Sequence, residues 1–235
     1  MNHPSSSTAS SRHAARLAAF TLTELLIVIA IVAILTAIVI PTVSTLRSSA
    51  RSAECLGNLR QLGSAFLLYA QDHRGSLPAT TGKYNDTGTA TGGSWSIALM
   101  KEIGMAFPHL NQENPFLCPA ASTTYPEGNA KRTYAMNWEN LPTDPSFAAS
   151  RGWEQPTKLA QHSAPARTVL LIDSKSGGDP ATGDGYDQFQ LSTLDARADW
   201  RHDNAINTLF VDGHAERIPV SEKARLQESI QRFGR

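Results

Sequence analysis

Two histidines and two aspartates stand close together near the C-terminal end of the chain: His202, Asp203, Asp212 and His214. Imidazole and carboxylate groups are metal ligands and acid–base groups, so this cluster could bind a metal ion or transfer protons. The local sequence favours a simpler account. Asp212-Gly213 is typical of a tight type I′ turn, and His214 alternates along a predicted strand. We therefore predict a structural role for these four residues.

Motifs of the common enzyme classes are absent from the sequence, which has no nucleophile elbow, no P-loop and no H-E-x-x-H pattern. The 21 basic and 21 acidic residues cancel, so no basic excess indicates a nucleic-acid partner. We therefore predict a protein that is not an enzyme and does not bind nucleic acid.

The two cysteines, Cys55 and Cys118, do not have the spacing of a zinc site. An even number of cysteines in an exported protein permits one disulfide. The alternative is a pair of buried free thiols. The sequence leaves both open, since a bond requires the two Cα atoms to lie within about 7 Å of each other.

One segment is far more apolar than the rest. From Leu25 to Ile40 there is no charge, and Thr36 has the only polar side chain. As a helix, residues 20–40 would rise about 31 Å, which matches the hydrocarbon core of a bilayer. A buried helix of a soluble domain and a secretory signal are the alternatives. The apolar run is too long for a signal core and no A-x-A-like site follows Pro41, so we favour a retained membrane helix.

Glu24 lies within the predicted membrane helix, directly before the uncharged run. A carboxylate in a membrane helix is costly, so such a residue usually has a function. Thr21-x-x-Glu24 is also a capping-box pattern, in which the acid only satisfies the first turn of the helix. The residues alone leave both interpretations open.

The segment from Ala19 through Phe20 and Glu24 to Pro41 resembles the type IV prepilin signature. The resemblance implies that residues 1–19 are a leader, that a prepilin peptidase cuts between Ala19 and Phe20, and that Phe20 is then N-methylated. Counted from Phe20, Glu24 is the fifth residue, which in this family acts in assembly, and Pro41 has the place of the proline that kinks the helix. The chain departs from the family in having Ala19 where glycine is usual and Thr23 where isoleucine or valine is more common.

After Pro41 the pattern predicts that the helix continues to about residue 75, with an apolar stripe at Leu56, Leu59, Leu62, Phe66 and Tyr69. Residues 76–235 are predicted to form an α+β head domain with a small antiparallel sheet laid on this helix. Its clearest elements are a strand over 167–173, a hairpin over 205–218 and a last helix with Leu226, Ile230 and Phe233 facing inward.

A second resemblance involves the head. His202, nine intervening residues and Asp212-Gly213 are similar to the H-x9-D-G domain of prepilin-like proteins, a family of poorly defined function. Three further stretches look like the same family: 55–63, 116–119 and 134–137. This resemblance supports membership of the prepilin-like class and implies no mechanism.

Calcium is the one cofactor that the resemblance implies, because major pseudopilins bind calcium in a C-terminal loop. Asp179, Asp184 and Asp187 lie in a glycine-rich loop and could supply oxygen ligands. Their spacing matches no calcium motif, so our prediction is no cofactor, with calcium as the alternative.

The predicted function is structural: a pilin-like or pseudopilin subunit of a type II secretion or type IV pilus-type system. Its partners would be the prepilin peptidase and other pilin-like subunits, bound through the N-terminal helix. It would span the bacterial inner membrane once, with its head in the periplasm or outside the cell. The alternative is a stand-alone anchored surface protein with a ligand- or carbohydrate-binding head. Sugars could then stack on Trp95, Trp138, Trp153 and Trp200, although we favour packing in the core for these side chains.

Overall fold

The computed structural model describes residues 21–79, 81–83, 92–105, 114–123, 132–139, 157–177, 186 and 188–233. Its helices are α1 (Leu22–Asp72), α2 (Trp95–Glu102), α3 (Leu194–Arg197) and α4 (Lys223–Gln231). Its strands are β1 (Thr81–Lys83), β2 (Gly92–Ser94), β3 (Tyr134–Asn137), β4 (Val169–Asp173), β5 (Gln188–Phe189), β6 (Ala205–Phe210) and β7 (Ala215–Pro219). The long helix followed by an α+β head is the predicted fold class.

The chain divides into two compact units, Met1–Thr45 and Leu46–Arg235, and residues of both belong to α1. The helix is continuous through position 41, so a proline there does not end it. The kink predicted at Pro41 stays a prediction.

The larger sheet of the second unit has the strand order β5-β3-β4-β6-β7. All of its neighbouring strands are antiparallel except β3 and β5, which are parallel. The prediction of an antiparallel sheet was therefore wrong at one edge. The connection between β4 and β5 is long enough to pass β3, so β5 can pair with the other edge of β3. A strand of two residues is too short to show a periodic pattern, so the sequence could not predict its position.

Both faces of this sheet are covered, and every residue of β3, β4 and β6 is buried. On one face, the stripe on α1 packs with Tyr134, Leu171 and Leu209. On the other face, Leu226 and Ile230 of α4 pack with neighbouring strand residues that point the opposite way. Alternate side chains of β3 and β6 therefore enter different layers of the core, and burial on both faces explains why these strands are mostly apolar. In β4 an irregularity between Val169 and Leu171 places Leu170 and Leu171 in the same layer.

The β6–β7 hairpin is present as predicted, but its turn is of a different type. The Phe210 carbonyl accepts a hydrogen bond from the Gly213 N–H at 3.0 Å, and the Phe210 N–H donates to the His214 carbonyl at 2.9 Å. Gly213 has φ +90°, whereas Asp212 does not have positive φ. A type I′ turn would need positive φ at both central residues, so this is a three-residue loop in which glycine takes the left-handed position.

Candidate functional site

The N-terminal end of α1 contains the capping box that the sequence suggested. The Thr21 N–H donates to Oε2 of Glu24 at 2.9 Å, and the Thr21 hydroxyl donates to the same oxygen at 2.7 Å. The Glu24 N–H donates in return to Oγ1 of Thr21 at 3.3 Å. Both residues are exposed. Glu24 therefore has a local structural role, and its carboxylate is also accessible to a partner.

The first part of α1 is apolar and exposed all round. Its large side chains from Leu22 to Ile40 are each between 49% and 81% exposed. Among the described residues, α1 is the one helix long and apolar enough to cross a membrane. Such a surface is unfavourable in water, so this segment requires an apolar environment.

The structure contains the disulfide that the sequence left open. The sulfur atoms of Cys55 and Cys118 are bonded at 2.00 Å, and the two Cα atoms lie 4.8 Å apart. Cys55 lies on the buried face of α1, and Cys118 precedes a short 3-10 helix at Pro119–Thr123. The bond therefore ties α1 to the head within the second unit.

Two hydrogen bonds link the backbone of the bonded cysteines to neighbouring side chains. The Cys118 N–H donates to Oγ1 of Thr133 at 2.7 Å, and the Tyr134 hydroxyl donates to the Cys55 carbonyl at 3.3 Å. Burial, together with the nearby negative charge of Asp173, raises the pKa of Tyr134 well above its usual value. The phenol therefore keeps its proton and remains a donor.

His202, the histidine of the H-x9-D-G pattern, lies beside this disulfide. It is 2% exposed. Its Nε2 is 3.1 Å from Oδ2 of Asp173 and 3.5 Å from Sγ of Cys118. His202 therefore has a structural role in the core, because its imidazole pairs with a buried carboxylate and contacts the sulfur atom of Cys118.

Asp173 is the residue of this site that sequence reasoning missed. It is the last residue of β4 and completely buried, and its Oδ2 also accepts a hydrogen bond from the Asn207 N–H at 2.8 Å. An acidic residue after an apolar strand is common, so the sequence offered only a weak signal. The pairing with His202 depends on the alignment of β4 and β6, which is a long-range feature.

The Asp212-Gly213 part of the pattern lies against α1. A Cβ atom at Gly63 would be 2.7 Å from the Gly213 carbonyl oxygen and 2.8 Å from Cδ1 of Leu209. A Cβ atom at Gly213 would be 3.0 Å from Cδ1 of Leu67. The two glycines thus allow the hairpin turn to come close to α1. The Asp212-Gly213 end of the H-x9-D-G pattern therefore contacts α1, and the His202 end contacts Cys118, which is bonded to α1.

The histidines and aspartates of the C-terminal cluster do not converge on one site. His214 is exposed, stacks on the Phe210 ring at 4.4 Å and pairs with Asp212 through Nδ1 and Oδ1 at 2.5 Å. Asp203 pairs with Arg217 at 3.5 Å. His202 is buried elsewhere.

Several predicted site residues lie outside the described residues. These are Ala19 and Phe20 at the cleavage position, and the candidate calcium ligands Asp179, Asp184 and Asp187.

The tryptophans named for the alternative function differ in their exposure. Trp95 is completely buried and stacks with Phe66 at 5.7 Å between ring centroids. Trp138 and Trp200 are half-buried. Trp153 lies outside the described residues. Trp95 therefore packs in the core, which is the interpretation that we favoured, and its ring is not accessible to a ligand.

Comparison with protein families gives a match to part of the chain. A family model described as "Protein of unknown function (DUF1559)", a family associated with pilin-like proteins, matches residues 44–114, which is less than a third of the chain. The match includes the second part of α1 with Cys55 and Gly63. It includes neither the Glu24 segment nor residues 202–213. No curated protein and no solved structure matches the chain.

Proposed function

We propose that the chain is a pilin-like structural subunit, cut by a prepilin peptidase between Ala19 and Phe20 and assembled with similar subunits in a type II secretion or type IV pilus-type system. The observation that carries the proposal is the exposed apolar part of α1, in which Glu24 is the sole charged residue before Arg47. The helix would anchor the chain once in the bacterial inner membrane, and the head would lie in the periplasm or outside the cell.

The role proposed for Glu24 follows from the cost of charge in lipid. Cleavage creates a cationic amine at Phe20. An ammonium and a carboxylate are each costly alone in an apolar phase, and their pairing offsets much of that cost. The amine of a neighbouring subunit would pair with Glu24 and set the axial step between two helices. The capping box with Thr21 is the competing explanation, since it uses the same carboxylate within one chain.

The test compares Glu24→Gln with Thr21→Ala in a bacterium that has a prepilin peptidase. Glu24→Gln keeps an oxygen that can accept from the Thr21 N–H but removes the charge, whereas Thr21→Ala removes the capping hydroxyl and keeps the charge. We expect Thr21→Ala to assemble and Glu24→Gln to remain in the membrane as processed, unassembled subunits. Sheared filaments and secreted cargo are the readouts.

Mass spectrometry of the membrane fraction checks the processing step in the same strains. The mature protein should begin at N-methylated Phe20 in wild type and in both variants. An intact Met1 terminus would contradict the processing proposal. Normal assembly of Glu24→Gln would contradict charge pairing, and processed wild-type protein that never forms filaments would favour a stand-alone surface role.

A further inference from the structure

Three metal-ligating groups lie together in the core of the second unit. Sγ of Cys55, Sγ of Cys118 and Nε2 of His202 are all within 4.8 Å of one another, and all three residues are buried. Among the described residues this is the one such group of three or more. In the oxidised protein the two sulfurs are bonded to each other. A nascent chain, however, carries two thiols at these positions.

The cluster has the composition of a zinc site, and one of its distances already matches that geometry. Two thiolates and an imidazole are zinc donors, with Zn–S of about 2.3 Å and Zn–N of about 2.0 Å. Tetrahedral geometry then places neighbouring sulfur and nitrogen ligands about 3.6 Å apart. The distance from Cys118 Sγ to His202 Nε2 is 3.5 Å. Once the disulfide is open, rotation of the Cys55 side chain must separate the two sulfurs and bring its Sγ, now within 4.8 Å of the imidazole, closer to His202.

The charges also suit a buried site. A zinc ion with two thiolates and a neutral imidazole has no net charge, so this group adds no uncompensated charge to the core. Coordination through Nε2 requires that the ring carry its proton on Nδ1, so the bond from Nε2 to Asp173 would be replaced. Oδ2 of Asp173, now 3.1 Å from Nε2, is then a carboxylate oxygen beside the metal position.

We propose that the dithiol form of this protein binds one zinc ion through Cys55, Cys118 and His202, and that disulfide formation releases the ion. Binding displaces the protons of the two thiols. In the oxidation, the zinc dithiolate, one disulfide donor and two protons give the protein disulfide, free Zn²⁺ and two donor thiols. Zinc would hold α1 against the segment around Cys118 before the covalent bond exists.

The test uses the full chain, produced under reducing conditions, purified without oxygen in detergent and titrated with Co²⁺ alone as a spectroscopic probe. We expect one Co²⁺ per chain, with thiolate-to-cobalt charge-transfer absorption and the visible bands of a tetrahedral ion. Oxidised glutathione should abolish both features and produce the disulfide. Reduced wild-type protein that binds no cobalt through thiolates would overturn the proposal.

A pair of histidine variants tests the third ligand. His202→Ala should weaken Co²⁺ binding by about tenfold or more, a loss at least as large as that for a group that only supports a ligand. His162→Ala removes another buried imidazole, which packs on the Phe233 ring at 4.9 Å, and should bind Co²⁺ like wild type. Equal affinities of the two variants would overturn the assignment of His202.

X-ray absorption of the zinc-loaded, reduced wild-type chain needs no variant and therefore stands even if His202→Ala does not fold. Two sulfur neighbours with at least one imidazole in the first shell would support the site. Four sulfur neighbours would indicate ions bridging two chains, and a shell of nitrogen and oxygen alone would exclude the cysteines. Either of these two results would overturn the proposal.

Discussion

At the scale of single residues, the H-x9-D-G histidine is a buried partner of other groups in the core. His202 has both Asp173 Oδ2 and the Cys118 sulfur within 3.5 Å. His214 has the same side chain and lies in the same stretch of sequence, but it is exposed on the hairpin. The two side chains differ in their environment, so their substitution should change the free energy of unfolding by very different amounts.

We expect His202→Ala to lower the free energy of unfolding of the oxidised protein by about 2 kcal/mol or more. The variant leaves Asp173 buried with one partner fewer and opens a cavity beside the disulfide. His214→Ala, the matched control, should change it by less than about 1 kcal/mol, because its pair with Asp212 is solvent-exposed. Denaturant unfolding in detergent measures both, and equal small effects would contradict this account.

His162 predicts how stability depends on pH. Burial lowers its pKa to about 4, below the ordinary value of 6.5. The unfolded chain therefore binds a proton first as the pH falls. The contribution of the neutral, buried imidazole to the free energy of unfolding is fully present above the unfolded pKa. As the pH falls from about 6.5 to about 4, the free energy of unfolding decreases by about 1–3 kcal/mol. His162→Gln should flatten this part of the profile, and an unchanged slope in thermal unfolding would contradict the assignment.

At the scale of elements, the contact between α1 and the β6–β7 turn depends on two glycines. Glycine in a helix is usually a cost, since alanine is more favourable by about 1 kcal/mol. Gly63 is nevertheless required at its position, because the Gly213 carbonyl leaves no space for a Cβ atom. Gly57 lies on the same helix, and a Cβ atom there would have nothing within 4 Å. A substitution at Gly57 should therefore change stability through helix propensity alone.

These two positions make a matched pair. Gly57→Ala should raise the free energy of unfolding by up to about 1 kcal/mol. Gly63→Ala, with the same change in helix propensity, should lower it by about 1–3 kcal/mol because the turn must move away from the helix. Denaturant unfolding of the full chain in detergent measures both. A stabilising Gly63→Ala would show that the hairpin does not rest on the helix.

At the scale of the whole molecule, the two units differ in what stabilises them. The first has no buried large side chains among its described residues from Leu22 to Ile40, so an apolar phase or neighbouring helices must cover it. The second has a core on both faces of its sheet and a disulfide that closes a loop between positions 63 residues apart. The disulfide therefore adds to the stability of the second unit alone.

Removal of the disulfide should lower the stability of the second unit by about 4 kcal/mol, the chain-entropy estimate for a loop of this length. The double variant Cys55→Ala with Cys118→Ala tests this by denaturant unfolding, and membrane anchoring should not change. Thiol labelling of unreduced wild-type protein is the control. Full labelling of both cysteines after denaturation would show that the bond does not form in the cell.

The sequence by itself determined the features that depend on local pattern. The uncharged run after Glu24 indicated a helix long enough to span a membrane, the apolar stripe from Leu56 to Tyr69 marked the buried face of α1, and Asp212-Gly213 located the hairpin. Each of these signals lies within a few turns of helix or a few residues of strand, where periodicity and turn preference are physically sufficient.

Only the tertiary structure decided which distant residues meet. The disulfide, the pairing of His202 with Asp173, the parallel strand β5 and the approach of Gly63 to Gly213 all join segments far apart in the chain. No local preference encodes such contacts, because they result from the way several elements pack at once. The H-x9-D-G pattern could be recognised from the sequence, but its meaning became visible only when α1 and the sheet were placed together.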